Sequence, residues 1–181
     1  RLKFNEHFFL QLLKALNKKK IESYIGKEYK ELGKYAVEIY KSLSFNLTES
    51  QIKSLRDIRA DLKLKKPMNR LIQGDVGCGK TIVAIITAAI VVGHNSQISI
   101  MAPTEILAEQ HYNSFIKHFK NYDISCELLT SNINQKEKND IYNKLENGEI
   151  NIIVGTHALI QDKVIFKDLG LVIIDEQHRF G

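Results

Sequence analysis

The chain has 181 residues, 44% hydrophobic and 26% charged, with ten glycines and two prolines, which suits a packed core and excludes disordered, collagen-like and linker-like classes. Two cysteines make neither a disulfide framework nor a zinc site, the longest apolar run (Ile82 to Val92, interrupted by Thr87) is too short for a membrane span, and the amino end has no secretory pattern, so a reduced cytoplasmic setting is expected. The net charge of +5 is uneven: residues 1–66 hold 16 Lys or Arg against 8 Asp or Glu, and residues 67–181 hold 10 against 13, a basic arm that fits a polyanion partner or simple solubility.

Phe9, Leu12, Leu13 and Leu16 recur at helical intervals within Leu2 to Leu16, and Lys18, Lys19 and Lys20 close that helix. Leu32, Tyr35, Ala36, Ile39 and Leu43 make a second helical stripe. Thr48 is placed to cap a third helix running to about Lys63, with Gln51 in the capping-box position. From about Met68 short apolar runs alternate with helical stretches, the pattern of a mostly parallel α/β sheet. Strands are expected at Arg70 to Gln73, Ile98 to Met101, Ser125 to Leu129, Ile152 to Val154 and Leu171 to Ile174. Helices are expected at Lys80 to Val92, Thr104 to Phe119 and Asn134 to Leu145.

Gly74-Asp75-Val76-Gly77-Cys78-Gly79-Lys80-Thr81 matches the pattern G-x-x-x-x-G-K-[ST] in full, between an expected strand and an expected helix. Its glycines let backbone N–H groups turn inward around a phosphate, and the helix that follows points its positive end at the same anion. Lys80 is expected to reach the outer phosphates and Thr81 to ligate Mg²⁺. The apolar run Leu171 to Ile174 reads as a buried strand that delivers Asp175 and Glu176 at its C-terminal end, where open α/β sheets hold their ligands. Two adjacent acids alone would be a solvated turn; 95 residues beyond Lys80, with strands between, they become a functional pair. Asp175 is expected to engage Mg²⁺, directly or through water, and Glu176 to polarise the attacking water. The string nearest to the guanine-reading N-K-x-D motif, Asn143 to Glu146, lies in an expected helix and ends in Glu, which points to ATP.

Four strings, Arg70–Thr81 (RLIQGDVGCGKT), Ala102–His111 (APTEILAEQH), Gly155–Ile160 (GTHALI) and Asp175–Gly181 (DEQHRFG), with Phe45–Gln51 (FNLTESQ) upstream, resemble superfamily 2 helicases of the DExH type, and among them the bacterial ATP-dependent branched-DNA helicases. Transcription-repair coupling translocases share similar strings and stay as an alternative. The resemblance implies a RecA-like P-loop NTPase, an α/β fold with a mostly parallel sheet flanked by helices, over residues 45–181 as a first motor domain, with residues 1–44 as a helical linker. It implies that Gln51 reads the adenine edge and Phe45 packs near the base. Gln51 is otherwise a helix-capping residue, and the two roles coexist only if its side chain is free to turn outward. Pro103, Thr104, Thr130, Ser131, Gly155, Thr156 and His157 would face DNA phosphates, and His178 would link the ATP and DNA sides without binding metal. His7, His94, His111 and His118 form no ligand pattern and read as structural. Cys78 departs from the small residue, usually Ser, of the family loop.

The implied partners are ATP, Mg²⁺ and forked or branched DNA, including Holliday junctions, with no membrane and a monomeric motor. DNA would be held with little sequence preference and strong salt dependence. The resemblance also implies a second motor domain bearing an arginine finger and an amino-terminal DNA wedge, neither of them in this sequence. Alone, the chain is therefore expected to bind ATP weakly, hydrolyse it slowly, not unwind DNA, and expose a sheet edge or apolar face. A non-helicase P-loop ATPase, or a nucleotide-binding interaction domain without catalysis, would share the phosphate loop but lack the A-P-T-E and G-T-H strings.

Overall fold

A computed structural model describes residues 2–177. Helix α1 (Leu2–Glu22) carries Lys19 and Lys20 in its last turn, as expected, and outruns the expected stripe. Its Phe8, Phe9, Leu12, Leu13 and Leu16 remain exposed. Helix α2 (Gly33–Ser42) buries Ala36 and Ile39, and α3 (Glu49–Leu62) buries Ile58 and Leu62. The capping box at the start of α3 forms: the Gln51 backbone N–H donates to Thr48 Oγ1 at 3.3 Å, and Gln51 Oε1 accepts from the Thr48 N–H at 2.9 Å.

Helix α4 (Lys80–Val92) is apolar around its whole circumference, which is stable only when it is covered on every side. Helices α2 and α3 pack against it, and so does the sheet. Its buried hydroxyl, Thr87 Oγ1, donates to the Val83 carbonyl at 2.8 Å. Tyr29, Ala36 and Ile39, all within the expected linker, belong to the same buried cluster as α4.

The remaining elements alternate: β1 (Gln97–Met101), α5 (Glu105–Phe119), β2 (Cys126–Leu129), α6 (Gln135–Asn147), β3 (Ile152–Gly155), a 3₁₀ turn (His157–Ile160) and β4 (Leu169–Ile174). The strands run in the order β2-β3-β1-β4 and every pair is parallel, so the chain is an α/β parallel sheet flanked by helices. Strand β3 shows why both faces need cover. Ile152 and Val154 enter the cluster with α4 and α5, while Ile153 points into a second cluster with Leu145 of α6 and Leu159. Gly155 is a close-approach glycine: a Cβ there would lie 2.3 Å from the Leu129 carbonyl oxygen.

Two expectations about strands need correction. Arg70 to Gln73 is not a strand. Arg70 is held by side chains instead: its guanidinium pairs with Asp61 at 2.7 Å and with Asp57 at 3.5 Å, both on α3, and Leu71 stays exposed. An extended segment becomes a strand only when its backbone finds a ladder partner, and this one is anchored to a helix. Leu171 to Ile174 is a strand but not a fully buried one, since Val172 and Ile174 are 51% and 45% exposed. Among the described residues strand β4 is one edge of the sheet, β2 the other. Leu171 and Ile173 pack on the α4 side, while the opposite face at β4 lies outside the cluster formed by α6. Among the described residues the outer face of β4 is thus apolar and partly exposed.

Candidate functional site

The parallel register brings four strand ends to one edge: Met101 pairs with both Gly155 and Ile174, and Leu129 pairs with Gly155. Helix α4 precedes β1 through a short turn and packs along β1 and β4, so its first residue, Lys80, lies toward that edge too. Chain direction alone thus brings the phosphate loop, the Asp175–Glu176 pair and the segments after β1, β2 and β3 to the same end of the sheet.

In the phosphate loop, Gly79 is the N-cap of α4 with φ +82°, a left-handed conformation that favours glycine. A Cβ at Gly79 would also meet Gln51 Nε2 at 2.3 Å. Gly77 has the same φ, and a Cβ there would meet nothing within 4 Å, so the turn faces open space large enough to admit an anion. Lys80 Nζ donates to the Gly74 and Asp75 carbonyls at 2.8 and 2.9 Å. Gln51 does more than cap: its Nε2 donates to the Cys78 carbonyl at 2.9 Å, fastening α3 to the loop. Thr81 opens α4 half-buried, and Phe45 is exposed.

Asp175 continues the β4 ladder, its N–H donating to the Met101 carbonyl at 2.9 Å. Its carboxylate does not bond to the phosphate loop. Oδ2 accepts from His111 Nε2 of α5 at 2.7 Å. The sequence-based reading left His111 as structural. No spacing rule joins residues 64 apart, and the one available signal was that His111 closes the Ala102–His111 string. Glu176 is exposed and adopts φ +52°, strained for a side-chain-bearing residue and of the kind that gathers at functional sites. His178 lies outside the described residues. Among the described residues no group of three His, Cys, Asp or Glu could hold a metal ion. Mg²⁺ takes one or two protein oxygens and the rest from phosphates and water, and the Asp175 carboxylate and Thr81 hydroxyl are oxygen donors of that kind.

Beside this edge lies a cleft of about 390 Å³. Pro103, Thr104, Ser131, Thr156 and His157, all expected to face DNA, line it together. Thr130 and Gly155 do not: both are buried, Thr130 just after β2 and Gly155 within β3. Thr104 is also the N-cap of α5, its Oγ1 accepting from the Leu107 N–H at 3.3 Å. The Glu105 carboxylate accepts from the Ser131 N–H at 3.0 Å and from Asn132 Nδ2, so its charge is spent on the loop after β2. Lys138 of α6 also lines the cleft, with Nζ donating to the Ser131 carbonyl at 2.9 Å. Sequence reasoning missed Lys138, since only folding brings α6 to the ends of β2 and β3.

The two thiols differ sharply. Cys78 is exposed in the loop, whereas burial and the neighbouring Glu127 push the Cys126 thiol up to about 12. At pH 8 iodoacetamide should label Cys78 at least about 100-fold faster than Cys126, because only the accessible thiolate reacts. Peptide mass spectrometry of the folded protein reads the ratio, and equal labelling would contradict the packing of β2.

The DEAD/DEAH box helicase family model matches residues 48–181. The chain is 46% identical over its whole length to the ATP-dependent DNA helicase RecG of Aquifex aeolicus and 47% identical to those of Thermotoga maritima and Bacillus subtilis. It spans only 23% to 27% of the length of these relatives. A solved structure of RecG bound to a three-way DNA junction superposes with a TM-score of 0.90 at 46% identity, covering 98% of this chain and 24% of that one. A hypothetical ATP-dependent RNA helicase from Sulfolobus tokodaii shares the fold, with a TM-score of 0.59 at 20% identity over 80% of this chain and 41% of that one. A phosphate loop and an acidic pair at one sheet edge, within a match covering most of the sequence, leave one assignment: the chain belongs to the DEAD/DEAH box helicases.

Proposed function

We propose that the protein containing this chain is an ATP-dependent DNA helicase that remodels branched DNA, forks and Holliday junctions among them, as a monomeric motor in the cytoplasm. In this reading residues 45–181 are its first RecA-like motor domain and residues 1–44 a helical linker. The observation that carries it is the common sheet edge shared by the phosphate loop, Asp175–Glu176 and the hydroxyl-lined cleft. One end of the fold can then hold a triphosphate and a DNA backbone side by side.

The backbone N–H groups from Gly77 to Thr81 would hold the phosphates, with Lys80 turning from the loop carbonyls to the outer phosphates. Bound Mg²⁺ would neutralise charge building on the phosphoryl oxygens, held by Thr81 and Asp175. Glu176 would orient and deprotonate the attacking water. Gln51 retains one amide hydrogen and one lone pair beyond its bonds to Cys78 and Thr48. Reading the N7 and N6 edge of adenine would need this amide, held here by Thr48 and Cys78, to turn outward when nucleotide binds. Phe45 lies nearby in sequence with its ring exposed, suited to packing on the base. Pro103, Thr104, Ser131, Thr156 and His157 would meet DNA phosphates without reading bases, and Lys138 would add a positive charge.

The test is ATP turnover of the whole protein that contains this chain, with no DNA, linear duplex and three-way junction. Junction DNA should raise turnover about 10-fold over no DNA, and junction binding should weaken as salt rises, since phosphate contacts release counterions. Turnover indifferent to every DNA would favour the non-helicase ATPase; equal stimulation by linear duplex would favour a duplex translocase.

A further inference from the structure

Helix α5 touches both halves of the proposed site. Thr104 and Glu105 at its start line the cleft, and two turns later His111 reaches Asp175. The start of the helix is bound to the loop after β2 through Glu105, Ser131 and Asn132. No glycine or proline interrupts residues 104–119, so a displacement at one end is carried along the helix rather than absorbed in a kink. The far contact is short and partly shielded: His111 Nε2 lies 2.7 Å from Asp175 Oδ2, with side chains 17% and 32% exposed. With Oδ2 engaged and the backbone fixed by Met101, the carboxylate plane of Asp175 is set and Oδ1 is left for other partners.

We infer that His111 is a positioning residue that couples polynucleotide occupancy of the cleft to the orientation of Asp175. The inference rests on the reading above, in which the cleft holds DNA and Asp175 serves the nucleotide. DNA can shift the acid only if it favours one placement of α5 over another, and Glu105 and His111 are the groups that would register that difference.

The experiment compares ATP turnover of the whole protein that contains this chain, with and without three-way junction DNA, in the parent, His111→Ala and His111→Gln. In His111→Ala the DNA-stimulated kcat should fall about 10-fold, as for a lost hydrogen bond to a charged group, with KM for ATP within about twofold. The ratio of stimulated to unstimulated rates should fall as well. His111→Gln keeps an N–H donor and should recover most of both. A stimulation ratio unchanged in His111→Ala overturns the inference, as does a Gln variant as impaired as the Ala variant, which would indicate packing alone. A parent with no DNA-stimulated turnover sinks the helicase reading and this inference with it; a stimulated parent with an unaltered His111→Ala sinks only the inference.

Discussion

Lys80→Ala should lower ATP turnover by roughly 10²–10³-fold, the range for removing one preorganised donor from a site of developing charge. The side chain has no competing structural duty of comparable weight. Its ammonium donates to the Gly74 and Asp75 carbonyls and, at 3.9 Å, to Cys78 Sγ, all within one exposed loop, so its loss should leave the fold nearly intact. Nucleotide affinity should drop as well, because the ammonium is the loop's own positive charge. Glu176→Gln is the informative companion: it keeps the size of the side chain and removes the base, so ATP should still bind while turnover is lost. Turnover and binding of a fluorescent ATP analogue, measured on both variants of the whole protein that contains this chain, separate the two roles. A Lys80→Ala protein that turns over ATP within a few fold of the parent would remove the energy source from the proposed function.

Ile39→Ala should destabilise the protein by about 2–5 kcal/mol, the usual span for emptying a fully buried aliphatic site. Ile39 is wholly excluded from solvent and sits where α2 packs on α4, in the same cluster as Ile98 and Ile100 of β1. The cavity would open directly beneath the helix whose first residue is Lys80, so nucleotide affinity should fall with stability. Leu12→Ala on α1 is the control: this residue is 41% exposed, and a surface substitution of that kind stays within about 0.5 kcal/mol. Guanidinium melts of both variants measure the difference. Equal midpoints would mean that α2 does not belong to the motor core.

Much of the chain was legible from local chemistry. The capping box of Thr48 and Gln51, the start of α4 at Lys80, the N-cap at Thr104 and the edges of β1 to β3 all follow from residues within a few positions of one another. Such signals act through backbone hydrogen bonds that a short peptide already contains. The phosphate loop was legible for a related reason: its glycines, lysine and threonine are contiguous, and their dihedral demands are local. Arg70 to Gln73 misled because its apolar pattern suits a strand while the salt bridges to Asp57 and Asp61 hold it to α3. Leu171 to Ile174 misled in part, because an apolar run cannot say whether its strand is central or at an edge.

What residue order alone determined, then, is the set of helices, most strands, and the loop and acids that a nucleotide would need. Tertiary structure decided the rest: the strand order, the gathering of Thr104, Ser131, Lys138, Thr156 and His157 around one cleft, the bond from Gln51 to the Cys78 carbonyl, and the pairing of His111 with Asp175. Each of these joins groups from separate segments, 27 residues apart for the Gln51 bond and 64 for the His111 bond. Periodicity and capping reach only a few residues along the chain, whereas such contacts exist only once the parallel register has brought the strand ends together.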